Sequence, residues 1–191
     1  RTWELHGKYP AILTDEVVGE QATAVFADAQ EMLAVILKEK RLDAKGIYGI
    51  FQANQVNDDD IELSDENGKV LDKFLTLRQQ SQKTKGAPNI ALSDFIAPKD
   101  SGKTDYMGAF CVATGFGVDE WAAEFEKDLD DYNAIMVKAM ADRLAEAFAE
   151  YLHEKVRKEI WGYSADESLS TEDMIAETYK GIRPAPGYPA C

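Results

Sequence analysis

The fold is decided by the segment YMGAFCVA at residues 106–113 and by the change of pattern that follows it. This apolar, aromatic run reads as a strand, which TGFG at residues 114–117 ends. From Glu120 to about Trp161 the apolar residues recur at helical spacing instead, in two helices separated near residues 128–131. The sequence therefore predicts strands that give way to helices just after residue 117.

The chain before residue 106 predicts one helix and several short strands. The helix is expected over residues 17–40, with Thr14 or Asp15 as its N-cap. Strand signals lie at residues 46–51, 61–63 and 70–77, and DENG at residues 65–68 predicts a hairpin turn between the last two. This order of elements indicates an α+β fold, a twisted antiparallel sheet with flanking helices, and not an alternating βαβ sheet.

The C-terminal third of the chain predicts a long helix, a short helix and a loop. The long helix should bury one broad apolar face, made of Ile135, Met136, Ala139, Met140, Leu144, Ala147, Phe148 and Leu152. A short helix is expected over residues 174–179, with Ser170 as its cap, Asp173 at position N3 and Gly181 as its end. Residues 182–191 contain three prolines and a glycine, and they predict an extended or turned loop.

The charge of the chain restricts its partners. The formal net charge is -14, which argues against nonspecific nucleic-acid binding and against docking on anionic lipid. It favours a basic partner surface, and the alternative is a solvated acidic surface. Neither cysteine fits a metal motif or a disulfide framework, which favours a reducing cytoplasm, and Cys111 is expected to be buried in its apolar run. No run approaches the roughly 20 apolar residues of a membrane span.

The common catalytic signatures are absent from the sequence. There is no phosphate-binding Gly-Lys-Ser/Thr loop, and residues 114–117 contain only an isolated GxG. His6 and His153 lie at opposite ends of the chain, and neither belongs to a HExxH-type metal motif. We therefore expect solvated or structural histidines and no metal site.

An acidic stripe on the long helix is the first candidate constellation. Asp142, Glu146 and Glu150 are spaced i, i+4, i+8, so they share one face, with Arg143 and Arg157 nearby in sequence. Such carboxylates could accept hydrogen bonds from an imidazole or hold a cation. The alternative interpretation is an exposed, solvated face.

The tail RPAPGY at residues 183–188 is the second candidate. Its prolines fix the backbone and leave carbonyls free to accept hydrogen bonds, while Gly187 permits close approach of the backbone to a ligand. Arg183 offers a planar fork for a carboxylate and Tyr188 an aromatic wall. Together they could hold an amino acid with a cationic group. The alternative is a rigid exposed loop.

The tail also carries a family resemblance. Residues 183–188 resemble the RxxxGY signature of the activation domain of cobalamin-dependent methionine synthase. Further stretches resemble the same family in order along the chain: GKYP at 7–10, DEVVG at 15–19, LRQQ at 77–80, DDYN at 130–133 and KAMADRLAEAFAEYLHE at 138–154. The resemblance covers nearly the whole chain.

The resemblance implies a reactivation function. Such a domain binds S-adenosylmethionine and docks on the cobalamin-binding domain of the same polypeptide, and a flavodoxin or flavoprotein reductase supplies an electron. Cobalamin is therefore expected as a cofactor of a neighbouring domain, and this chain alone is expected to show no turnover. The alternative is a non-catalytic acidic docking domain, whereas a free-standing methyltransferase would need a Gly-rich loop after a first parallel strand.

The resemblance also implies roles for individual residues. Arg183 is expected to hold the ligand's carboxylate. Further ligand contacts are expected at Ala185, Gly187, Tyr188, Glu146 and, more weakly, Glu177. Asp142, with Asp119 or Glu120, is expected to receive the displaced cobalt-ligand histidine of the cobalamin domain.

The ends of the chain matter for that expectation. Residues 1–191 are expected to form a single activation domain that is shorter at both ends than the family's domain. The family's aspartate for the ligand's amino group would precede the Trp3 segment, and further ligand contacts would follow Cys191.

Overall fold

The computed structural model describes residue 3 and residues 5–184. These residues divide into two compact units. The first contains the described residues up to Gly46 and those from Val112 onward, and the second is Ile47–Cys111.

Helix α1, Gly19–Glu39, is the first helix of the first unit. The Asp15 carboxylate accepts hydrogen bonds from the backbone N–H groups of Val17 and Val18, at 2.9 and 3.0 Å, and these bonds hold the pKa of Asp15 below its usual value. The predicted helix is confirmed, but it begins two residues later than expected, after the turn that Asp15 organises.

The predicted break between the two C-terminal helices is also confirmed. Helix α2 spans Val118–Lys127 and helix α3 spans Asp131–Lys155. Asp130 caps α3, since its carboxylate accepts from the backbone N–H of Asn133 at 3.0 Å and from the Asn133 side-chain amide at 2.7 Å. Leu129, in the connection, has a left-handed φ of 60°.

The three helices form the core of the first unit. Its buried cluster consists of Met32, Ile36, Trp121, Ala122, Ala134, Met136 and Val137. The predicted face of α3 is confirmed at Met136 and Leu152, but Ala147 is exposed. In the first half, Ile135 is also exposed, whereas Ala134, Val137 and Ala141 are buried. The reason is that both α1 and α2 pack against this half, and their joint contact surface includes the neighbouring helix position.

Gly117 makes the junction between the last strand and α2. Its φ is +94°, and a Cβ built there would lie 2.5 Å from the Arg41 carbonyl oxygen. The isolated GxG of residues 115–117 therefore ends in a turn that only glycine fits.

The sheet has four antiparallel strands. They are β1, Asp43–Val56; β2, Asp60–Ser64; β3, Val70–Leu75; and β4, Asp105–Phe116. Their order is β3-β2-β1-β4, and Ala53 of β1 pairs with Leu63 of β2. In the predicted hairpin turn, the Asp65 carboxylate accepts from the backbone N–H groups of Asn67 and Lys69, both at 2.9 Å. The α+β fold predicted from the sequence is confirmed.

Arg78, in the LRQQ stretch, organises the second unit. Its Nη atoms donate to both Asp94 carboxylate oxygens at 2.7 and 2.8 Å, and to the carbonyls of Asn89 and Asp58 at 2.9 and 2.6 Å. Its Nε lies 3.1 Å from Asp59 Oδ1, an ion pair without hydrogen-bond geometry. The Arg78 guanidinium lowers the pKa of Asp94 to about 2. This one side chain thus ties the loop after β3 to the β1–β2 turn.

One burial prediction for β4 is wrong. Cys111 is exposed, because side chains alternate along the strand and Phe110 and Val112 take the more buried side. Among the helices of the described residues, none is long and apolar enough to cross a membrane.

Candidate functional site

The segment that leads to Arg183 begins with helix α4, Thr171–Ile175. Ser170 and Asp173 form the predicted reciprocal cap, in which Ser170 Oγ accepts from the Asp173 N–H and the Asp173 carboxylate accepts from the Ser170 N–H, both at 3.1 Å. The helix ends four residues earlier than predicted, since Glu177 takes a left-handed φ of 55°. Gly181, with φ +96°, turns the chain once more before Arg183.

Tyr179 anchors this segment on α3. Its buried ring packs under the Arg157 guanidinium, with 4.4 Å from Cζ to the ring centroid, and edge-on to the His153 ring, at 4.8 Å between centroids. A cation over an aromatic face is stabilising, and more so when it is removed from water. The backbone four residues before Arg183 is therefore fixed by buried contacts.

Arg157 is the centre of a buried polar cluster. Its side chain is 1% exposed and that of Glu167 is 7% exposed. Arg157 Nε lies 2.9 and 3.1 Å from the two Glu167 carboxylate oxygens, and Nη2 lies 2.5 Å from one of them. Its Nη1 lies 2.8 Å from His153 Nδ1. Buried charges are tolerated when they are paired and hydrogen-bonded in this way.

Electrostatics fixes the protonation of His153. Burial, followed by the positive charges of Arg157 and Arg183, lowers the pKa of His153 to about 4, against the opposing effect of Glu167. The ring is neutral at pH 7, and arginine can only donate, so Nδ1 accepts from Arg157 and the ring proton lies on Nε2. The same ion pair lowers the pKa of Glu167.

A π-helical turn, Val156–Ile160, extends α3 and contains Arg157. The Trp161 N–H donates to the Val156 carbonyl at 2.9 Å, which is the wide i to i+5 spacing of such a turn. Turns of this kind are rare and frequently lie at functional sites.

Arg183 itself is placed against the acidic stripe. Its Nη2 donates to the carboxylate of Glu150, and the two side chains are 19% and 42% exposed respectively. The resemblance gave no role to Glu150. A signal was present in the sequence, since Glu150, His153 and Arg157 are spaced i, i+3, i+7 and so share one face of the helix.

The other predicted residues lie at several places. Asp142 and Glu146 are exposed on the same helix face, and Asp142 pairs with its neighbour Arg143. Glu120 is exposed in the first turn of α2, and Glu177 is exposed after α4. The structure thus brings the Arg183 side chain against helix α3, which also carries Glu146 and Asp142. Ala185, Gly187 and Tyr188 lie outside the described residues.

Within residues 3 and 5–184, no group of three or more His, Cys, Asp or Glu side chains could hold a metal ion. A cavity of about 340 Å³ lies beside Glu167 and Tyr179, lined by residues 163–167, Leu169 and residues 178–180.

The sequence matches the family model described as the activation domain of vitamin B12-dependent methionine synthase, over residues 1–191. The chain belongs to this family. Among solved structures, the activation-domain chain is similar to a MetH reactivation domain bound to AdoHcy, with 58% sequence identity and a TM-score of 0.91. The match covers 100% of this chain and 58% of that chain, so this activation domain spans little more than half the length of its relative.

Proposed function

We propose that this chain is the reactivation module of a cobalamin-dependent methionine synthase, a methyltransferase, and that it binds S-adenosylmethionine. The observation that carries the proposal is Arg183, the first residue of RPAPGY, held at the surface of α3 with its guanidinium partly exposed. The similarity to a relative bound to AdoHcy, the demethylated product of S-adenosylmethionine, supports the ligand class.

The chain's own residues divide between two tasks. Arg183 binds the ligand's carboxylate through its planar fork. Glu146 and Glu177 lie towards the cationic end of the ligand, and Ala185, Gly187 and Tyr188 line its pocket. The site fits such a ligand, because it combines a cation for the carboxylate with acidic groups for the sulfonium.

Docking is the second task. Asp142, exposed on α3, and Glu120, exposed on α2, accept hydrogen bonds from the histidine of a cobalamin-binding domain of the same polypeptide. There S-adenosylmethionine would give its methyl group to the cob(II)alamin of that domain, with one electron from a flavodoxin-type reductase, and S-adenosylhomocysteine would be released. We propose a cytoplasmic location, which the absence of a disulfide framework in the sequence favours, and no turnover by this chain alone. We propose that residues 1–191 belong to one activation domain, which the extent of the family match supports.

The test of ligand binding is calorimetric titration of S-adenosylmethionine into the protein. Saturable binding is expected, and Arg183→Ala should weaken it by roughly tenfold or more, because a charge-assisted hydrogen bond to the carboxylate is lost. Arg143→Ala is the matched control, since it removes an exposed arginine of α3 that pairs with Asp142. Binding that Arg183→Ala leaves unchanged would favour the alternative, a non-catalytic acidic docking domain in which the tail loop is inert.

A further inference from the structure

The contact between Arg183 and Glu150 singles out one carboxylate of the acidic stripe. Glu150 lies one helical turn after Glu146 and accepts from Arg183 Nη2. A guanidinium has five N–H donors, so one pair at Nη2 does not use up its capacity for a second carboxylate. Glu150 therefore contacts the residue proposed to bind the ligand, and it can do so while that residue is binding.

Two sets of contacts hold the segment from Tyr179 to Arg183, one at the Tyr179 ring and one at the Arg183 side chain. His153 and Arg157 hold the ring of Tyr179, which fixes the backbone before Arg183. The Arg183 side chain itself has four rotatable bonds, which carry considerable rotamer entropy. Its guanidinium donates to Glu150, on the same face of α3.

We propose that Glu150 is a positioning residue, which holds the guanidinium of Arg183 in the orientation that receives the carboxylate of S-adenosylmethionine. This inference rests on the proposed function. An arginine that is ordered before binding loses less conformational entropy when the ligand arrives, and the ligand binds more tightly as a result.

Whether Glu150→Ala weakens or tightens ligand binding distinguishes a positioning role from competition with the ligand's carboxylate. Glu150→Ala should weaken binding of S-adenosylhomocysteine by roughly three- to tenfold, the effect of immobilising one rotamer-rich side chain. Glu150→Gln keeps an acceptor oxygen for Arg183 and should restore most of the affinity. If Glu150 instead competed with the ligand's carboxylate, or merely repelled it, both substitutions would tighten binding.

Two further readouts show whether Glu150 acts through Arg183. In an Arg183→Ala background, Glu150→Ala should have no additional effect on affinity. Binding of 5′-methylthioadenosine, which lacks the amino-acid carboxylate, should be the same with and without Glu150. The matched control is Glu124→Ala on α2, because Glu124 also accepts from an arginine, Arg41, at 2.5 and 2.6 Å. Thermal unfolding of each variant confirms that it is folded.

The outcomes separate the two proposals. Unchanged or tighter binding by Glu150→Ala, with binding still weakened by Arg183→Ala, would overturn the positioning role alone. An equal loss from Glu150→Ala with and without Arg183 would overturn it as well. If Arg183→Ala has no effect on affinity, the proposed site is wrong, whatever Glu150 does.

Discussion

At the scale of single residues, Arg157, Glu167 and His153 form a buried, hydrogen-bonded cluster at the end of α3. Arg157 has its charge neutralised by Glu167 and donates to a neutral His153. Removing either charged partner would leave the other buried without compensation, which is far more costly than losing an exposed pair. The cluster is thus both a stabilising feature and the anchor of the segment that carries Arg183.

The neutral state of His153 predicts a pH dependence of stability. Its pKa is about 4 in the folded chain and near 6.5 when unfolded, so the unfolded chain takes up the proton first as the pH falls. The free energy of unfolding should fall from about pH 6.5 and reach a loss of about 3 kcal/mol near pH 4. Urea unfolding at pH 7.0, 5.5 and 4.0 measures this loss.

A variant isolates that histidine. His153→Gln should be less stable than the unmodified protein at pH 7, since it disturbs the contacts to Arg157 and Tyr179, but its stability should change less between pH 6.5 and 4. The same pH dependence in both proteins would show that other groups cause it.

At the scale of secondary-structure elements, the turn at Gly117 determines how α2 leaves β4. We expect Gly117→Ala to lower the free energy of unfolding by about 2 kcal/mol or more, because alanine is strained at positive φ and its Cβ would overlap a carbonyl. Gly115→Ala is the control, because among the described residues no atom lies within 4 Å of a Cβ built there. Equal stability of the two variants in urea unfolding would contradict this account.

Most of these elements could be predicted from the sequence, because helical and alternating patterns and capping residues act locally. The hairpin turn at Asp65, the Ser170 cap and the break before α3 are examples. What could not be predicted depends on distant partners. The buried face of α3 is set by α1 and α2, and Arg183 meets Glu150 across 33 residues of sequence. The family resemblance was needed to predict the role of the tail, because its residues alone were equally consistent with a rigid exposed loop.

At the scale of the whole molecule, the two units can be probed separately. All three tryptophans, Trp3, Trp121 and Trp161, belong to the first unit, whereas Arg78 and its partners belong to the second. Arg78→Ala should raise hydrogen-exchange rates in β2 and in residues 76–98 by roughly tenfold or more, because several charge-assisted bonds are lost at once.

Fluorescence provides the comparison for this variant. Tryptophan fluorescence reports the unfolding of the first unit. The loss of stability that its urea midpoint gives for Arg78→Ala should be smaller than the loss that the exchange rates give for the second unit. Exchange rates in β2 that remain unchanged in Arg78→Ala would show that the Arg78 contacts do not stabilise that unit.

The π-helical turn at Val156–Ile160 has a consequence for the length of the chain. Each residue of an α-helix rotates the backbone by about 100°, and a π-helical turn accommodates one residue more than an α-helical turn. The turn therefore takes up one residue beyond the count of a regular helix. Deleting Lys158 should let the turn close to α-helical spacing, so the chain that follows should keep its direction and Glu167 and Tyr179 should stay beside Arg157.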